Sequence, residues 1–347
     1  MPTTNRQILL NGRPDGEPKA SDFRLGEAPI PKPGPGQFLI RNHYLSLDPF
    51  QRGRMNANWR YGRKLEIGDV MIGSTVGEII ESYHPAWRTG TFVEGLLGWQ
   101  EYALHDGEGG RQDYGPGLTR VDPKVAPVST ALGVLGTSGE TAYWSIIDVA
   151  KPRPGDTVVI SGAAGAVGTI AGQICKILGA RVVGIAGSDD KVDYITRELG
   201  FDAGINYKTT PNLLDTLRQY CPDRIDVYYD NVGGEIADMM FRHLAKGARY
   251  IVVGRIANYN DAKPRLMPDL FPLIMTSRAQ VHGFIVFDYE DRIREARAQL
   301  ARWIDDGKIK YRETIAHGLE NAPAAFMSML KGGNTGKQLV KLFPDAR

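Results

Sequence analysis

Asp156 to Leu178 reads DTVVISGAAGAVGTIAGQICKIL, and the reading of this stretch decides the fold. Thr157–Ser161 is a short β-branched run opened by Pro154-Gly155-Asp156, the pattern of a buried strand. It runs into Gly162-Ala163-Ala164-Gly165-Ala166-Val167-Gly168, with glycine at every third position. Beyond it Val167, Ile170, Ala171, Ile174, Cys175 and Leu178 recur at helical spacing, and Gly179 supplies a stop. Strand, glycine turn and helix in that order let the backbone approach a pyrophosphate, whose charge sits on the N-terminus of the new helix. A Gly/Ala-rich turn packed tightly on a sheet would look the same in isolation. The sequence on either side separates the two.

Downstream, the alternation of strands and helices predicts a parallel sheet with crossover helices. Expected strands after Thr157–Ser161 are Arg181–Ala186, Gly204–Asn206, Ile225–Tyr229, Ala248–Val253 and Val281–Val286. Helices are expected over 166–178, 189–199, 212–220 and 234–245, with a strongly periodic one from Arg292 to Asp305. Six strands in this rhythm fit a doubly wound dinucleotide sheet. Upstream the texture differs. Phe38–Leu47, Val70–Ile80, Thr91–Val93 and Trp99–Leu104 read as short strands between glycine turns, and His105–Thr119 as a surface loop. Lys337–Leu342 reads as a strand returning to this first region. The expectation is an α/β chain: a β-barrel-like domain at 1–130, completed by about 310–347, and a Rossmann domain at 131–309.

Composition narrows the function. The chain has 347 residues, enough for two full cores, and its 42 Lys+Arg nearly balance 40 Asp+Glu. That balance implies no nucleic-acid or anionic-membrane surface. No apolar run approaches the ~18 residues of a membrane span. The opening MPTTNRQILLNGRP lacks the basic-then-apolar plan of a signal peptide. Cys175 and Cys221 are the only cysteines, which argues against a disulfide scaffold and for a reducing, cytoplasmic setting.

GAAGAVG, AGSDDK (186–191), GFDAGINYK (200–208), DNVGG (230–234) and GRIANYN (254–260) follow one another, with LSLDP (45–49), RGRM (52–55) and GGNTGKQ (332–338) around them. Together they resemble the zinc-free medium-chain dehydrogenase/reductases, in the branch of prostaglandin reductases, plant double-bond reductases and bacterial curcumin reductase. The resemblance spans nearly the whole chain. It implies a GroES-like catalytic domain, a Rossmann domain, a cofactor in the cleft between them, and a homodimer joined through the sixth-strand edge.

An NAD-binding unit normally ends its second strand with Asp or Glu on the adenine ribose. Here Arg181–Ala186 runs into Gly187-Ser188, which leaves room for a 2′-phosphate, and Lys191 follows closely enough to neutralise it. The chemistry points to NADPH, although Lys191 also suits an ordinary exposed helix and Tyr207 a half-buried strand end. The resemblance implies that Lys191 and Tyr207 contact the 2′-phosphate, with Ser188 beside them. It further implies Ala164, Gly165, Ala166, Val167 and Gly168 at the pyrophosphate. Asn231, Val253, Gly254, Tyr259, Phe284, Ile285, Val286 and Asn334 are then expected near the nicotinamide half.

No cysteine precedes Cys175, and Ser46-Leu47-Asp48 stands where zinc-dependent relatives carry their first ligand; His43, His84 and His105 have no regular ligand spacing. The expectation is therefore no metal, with hydrogen-bond donors polarising the substrate carbonyl. Hydride addition to the β-carbon of an α,β-unsaturated ketone or aldehyde suits such a site. The resemblance implies Tyr259, the tyrosine of the GRIANYN segment, as the candidate catalytic donor, assisted by the nicotinamide ribose hydroxyl, although a tyrosine there also suits packing on the cofactor or bonding its phosphate. Phe50, Tyr61 and Phe287 are candidate substrate-binding residues; where the family often has tyrosine after Asp-Pro, this chain has Phe50, which removes a hydroxyl. Asp48 reads as a structural turn carboxylate. Two alternatives stay open: a quinone reductase of the same superfamily, and a non-catalytic NADPH-binding sensor.

Overall fold

β1 (Thr4–Leu10) turns its apolar alternate residues Ile8 and Leu10 inward and pairs antiparallel with β2 (Phe23–Pro29). The computed structural model describes residues 3–57, 64–108, 117–261, 263 and 265–343. Two compact units emerge: Met1–Thr137 with Glu313–Arg347, and Ser138–Arg312.

In the first unit β3 (Phe38–Ser46) is followed by a short helix, α1 (Phe50–Arg54), then by β4 (Thr75–Ser82), β5 (Phe92–Gly95), β6 (Tyr102–His105) and β7 (Thr119–Val121). β3 is the hub, pairing antiparallel with both β4 and β6. The expected strand from Val70 begins only at Thr75, because Val70 makes a single bridge to Leu9 and Gly73 lies against the Trp99 ring. The β1–β2 hairpin was not foreseen. Its Phe23 stacks on Trp99, and Phe326 meets both rings edge-on, in a core shared with Leu45, Leu47 and Val340.

α2 (Thr137–Trp144) leads into the second unit, where strands and helices alternate: β8 (Thr157–Ser161), α3 (Ala166–Ile177), β9 (Arg181–Ala186), α4 (Asp189–Asp193), β10 (Ala203–Asn206), α5 (Leu213–Tyr220), β11 (Ile225–Asp230), α6 (Gly234–Met240), β12 (Leu244–Val252), α7 (Phe271–Ser277), β13 (Gln280–Gly283) and α8 (Ile293–Asp305). The six strands are all parallel, in the order β10-β9-β8-β11-β12-β13. Counted within the unit this is 3-2-1-4-5-6, the dinucleotide-binding arrangement. Every residue of β8 is buried, as its β-branched run demands.

Two expectations need correction here. The helix expected over 234–245 stops at Met240, and β12 starts at Leu244 because Leu244 pairs with Ile225. The strand expected to Val286 ends at Gly283: Phe284 N still donates to Val252 O at 3.0 Å, but Val286–Arg292 then coils into 3-10 turns.

The chain returns to the first unit as β14 (Glu313–His317), α9 (Ala322–Leu330) and β15 (Lys337–Lys341). β15 inserts between β14 and β3, parallel to the former and antiparallel to the latter. β14 and α9 were also unforeseen. The described path of this seven-stranded sheet is β14-β15-β3-β4-β5-β7, with β6 on β3.

Candidate active site

The site is built at the carboxyl ends of the parallel strands, where open α/β sheets hold their ligands. Gly162 leaves β8 with φ +59, and Gly165 caps α3 in an extended conformation with no side-chain cap bond. Gly165 has no side chain to accept from the N–H groups that open this 12-residue helix, an arrangement suited to a phosphate. Gly168 presses on the turn: a Cβ there would lie 2.4 Å from Gly162 O and 2.9 Å from Ala163 Cα. Ala164 is buried, while Gly165, Ala166 and Val167 are half-buried along the same turn.

At the end of β9 no acid appears. A Cβ on Gly187 would meet Tyr207 Cε1 at 3.2 Å and Lys208 Cε at 3.4 Å, so these two side chains roof the turn. Ser188 starts α4, and its side chain makes no cap bond. Lys191 is half-buried, and its ammonium is pushed below the ordinary lysine range first by burial and then by the charge of Lys208. Asp189 accepts from the Asn206 side-chain amide at 2.7 Å. Tyr207 is exposed, and its backbone N–H donates to Ala186 O.

The ends of β11 and β12 form the third part. Asp230 is 2% exposed, and its carboxylate accepts from Ser161 Oγ, Tyr228 Oη, Tyr250 Oη and the backbone N–H groups of Val232 and Gly233. Burial, then the Asp230 charge, raises both phenols well above their ordinary value. Asn231 is fixed twice, its N–H to Ser161 Oγ and its amide to Ser161 O. Val253 and Gly254 donate to Asp230 O, and Gly254 packs so closely that a Cβ would sit 3.0 Å from Asn231 O. Tyr259 is half-buried on this loop; burial raises its phenol, offset in part by the backbone and guanidinium of Arg255. Phe284 is buried against Tyr289, whose hydroxyl donates to Asp148; Ile285 is exposed, and Val286 and Phe287 are half-buried.

Three candidates belong to the first unit. Phe50 is half-buried at the start of α1, with the Arg54 guanidinium 6.0 Å from its ring centre. Asn334 uses its amide within its own turn, donating to Gly336 O at 2.8 Å. Tyr61 lies outside the described residues. Asp48 is occupied structurally, accepting from Ser46 Oγ and pairing with Lys337.

A family model described as the N-terminal domain of oxidoreductase matches residues 6–112, and one described as zinc-binding dehydrogenase matches residues 166–304. The chain is 40% identical to the NADPH-dependent curcumin reductase of Escherichia coli over 98% of both chains. It is 37% identical to the NADP(+)-dependent 2-alkenal reductase of Nicotiana tabacum over 97% of both. CurA from Vibrio vulnificus, solved in complex with NADPH, superposes with a TM-score of 0.91 at 40% identity, covering 98% of this chain and 99% of that one.

The chain belongs to the medium-chain dehydrogenase/reductases. Within them it falls in the branch of curcumin and prostaglandin reductases, with a GroES-like unit and a Rossmann unit. The residues of this family member fit NADPH on their own chemistry. The N-terminus of α3 would suit a pyrophosphate, and the end of β9, which carries no acid and has Lys191 on the helix that follows, would suit a 2′-phosphate. The second family model is named for zinc, yet both cysteines here are buried thiols, with Cys175 raised far by burial and Cys221 pushed up to about 11. Among the described residues no three His, Cys, Asp or Glu side chains are grouped to hold a metal.

Two residues of the site escaped the sequence reading. Asp230 was seen only as part of DNVGG; its signal was the pair of tyrosines, Tyr228 and Tyr250, on adjacent strands. Lys208 was quoted in GFDAGINYK without a role; its signal was its place directly after Tyr207.

Proposed function

We propose that this chain uses NADPH to reduce the carbon–carbon double bond of α,β-unsaturated ketones and aldehydes. The observation that carries the reading is likeness along nearly the whole chain to reductases named for curcumin and for 2-alkenals. NADPH, when bound, supplies the hydride. The β-carbon of the enone or enal receives it, because negative charge then moves to the carbonyl oxygen, and the enolate takes a proton from a donor or water at the α-carbon to give the saturated product; an isolated alkene has no such outlet.

The chain's own residues align the partners and donate to that oxygen. Tyr259 is the donor in this reading, a half-buried phenol on the loop after β12. Ala164 to Gly168 hold the pyrophosphate, and Ser188, Lys191 and Tyr207 the adenosine end. Asn231, Val253, Gly254, Phe284 to Val286 and Asn334 serve the nicotinamide half, with Phe50, Tyr61 and Phe287 toward the substrate.

The chain works in this reading as a cytoplasmic homodimer. Two buried free thiols suit a reducing compartment. Among the described residues β13 is paired only with β12, and Phe271, 80% exposed, and Met275, 71% exposed, on α7 and Val281 on β13 are open apolar side chains. Light scattering of the wild-type chain and of Phe271→Asp tests the dimer; a wild-type monomer refutes it.

The reaction is tested with C4-deuterated NADPH and a simple enone, the label being located by NMR. Deuterium on the β-carbon is expected. Deuterium on a carbinol carbon, giving an allylic alcohol, would mean carbonyl reduction and would overturn the assignment.

A further inference from the structure

Lys208 stands at the nucleotide site with no role assigned to it so far. A phosphate monoester carries close to two negative charges near neutrality, and one lysine can balance only about half of that. The turn after β9 offers two. Lys191 stands on α4, and Lys208 follows β10, its Cε 3.4 Å from where a Gly187 Cβ would be. Both elements are anchored. β10 pairs with β9 in register, Tyr207 N donates to Ala186 O, and Lys208 N donates to Asn206 Oδ1 at 3.1 Å. The Lys208 ammonium lies 6.0 Å from the Tyr207 ring centre, at the outer limit of a cation–π contact.

Two of the neighbouring acids have partners of their own. The Asn206 amide takes Asp189, and Arg197 pairs with Asp193 one turn along. Lys191 meanwhile feels Lys208 as a like charge, which lowers its pKa. Two cations brought together by separate elements form an arrangement that an arriving dianion relieves.

We propose that Lys208 is a specificity-determining residue: with Lys191 it clamps the 2′-phosphate of the nucleotide over Gly187, and the discrimination against the unphosphorylated nucleotide depends on both. The proposal rests on the reading of this unit as an NADPH site.

The test is calorimetric binding of 2′,5′-ADP and of 5′-AMP to the full chain and to Lys208→Gln, Lys208→Arg and Lys191→Gln. Lys208 is exposed, so its variants keep the fold. Lys208→Gln is expected to weaken 2′,5′-ADP roughly tenfold or more and to leave 5′-AMP unchanged. Lys208→Arg should restore most of the loss. The Lys191 side-chain NMR titration should move to higher pH in Lys208→Gln, a shift that a purely structural role would not produce. Equal loss for both nucleotides, or full retention of the preference in Lys208→Gln, overturns the clamp while the nucleotide reading stands. Wild-type protein that binds 2′,5′-ADP no better than 5′-AMP overturns the nucleotide reading, and the clamp with it.

Discussion

The Lys337 ammonium pairs with Asp48 Oδ1 across 289 positions of sequence. The side chain of Lys337 is 5% exposed and that of Asp48 24%, so the pair sits at the edge of the first unit's core. It fastens β15 to the turn after β3, whose strands already pair from Leu339 to Ser46.

Removing the acid leaves a buried cation, whereas removing the lysine leaves a carboxylate that still has Ser46 and some solvent. Asp48→Ala should therefore destabilise by ~1–3 kcal/mol, between the exposed and buried cases, and Lys337→Met by less. Calorimetric melting of the two variants checks this. The reverse order would mean that the pair contributes through Lys337 packing alone.

Gly168→Ala places a methyl group against two backbone positions that cannot rotate away. A loss of ~1–3 kcal/mol is expected, together with weakened NADP+ binding, because the pyrophosphate turn must open. Gly165→Ala is the control: its Cβ would meet only Gly162 O, at 3.2 Å, so its effect on urea midpoint should be smaller. Equal effects would refute the close-packing argument.

Lys191→Ala should weaken NADPH far more than NADH. Loss of a charged hydrogen bond costs ~1.5–3 kcal/mol, roughly ten- to hundredfold in affinity. The pH dependence follows from the lowered ammonium. Preference for the phosphorylated cofactor is present while Lys191 is protonated and is lost as pH rises through its folded pKa. That loss should begin below the ordinary lysine value of 10.5. Titrating the NADP+/NAD+ affinity ratio from neutrality upward measures it, and a flat ratio in the wild-type protein would remove Lys191 from the site.

Tyr259→Phe should slow the chemical step by about a hundred- to thousandfold, the worth of one oxyanion donor at ~2.7–4 kcal/mol. NADP+ affinity should hold, because the phenol rests on the Arg255 turn while the Val253 and Gly254 backbone is tied to Asp230. Single-turnover kinetics with saturating NADPH separate the two. An unchanged rate would leave water or the nicotinamide ribose as the donor.

The second unit was the more legible because its signals are local. Thr157–Ser161 and Arg181–Ala186 appear in the structure with the bounds read from sequence, since each is a β-branched run closed by glycine. The first unit depends on distant pairings. β1 is held by Trp99, whose O accepts from Ile8 N, and β14 by β15, partners that no short window contains. The same division runs through the site. Glycine turns and the acid-free end of β9 can be read directly, but Asp230 acquires meaning only when parallel pairing brings Tyr250 beside Tyr228. Lys208 likewise needs Ala203–Asn206 laid beside Val183–Ala186 before it is seen over Gly187.

The insertion of β15 between β14 and β3 sets an order on synthesis. Residues 138–312 form one uninterrupted unit and can close as soon as they leave the ribosome. The N-terminal strands, made first, must wait: β6 covers β3 only over Phe38–Arg41, so its Tyr44–Ser46 end stays open until Leu339–Lys341 arrives, and Asp48 has no Lys337. The part of the chain translated earliest is therefore completed last. Its exposed strand edge during that interval is where a chaperone, or a neighbouring nascent chain, would find it.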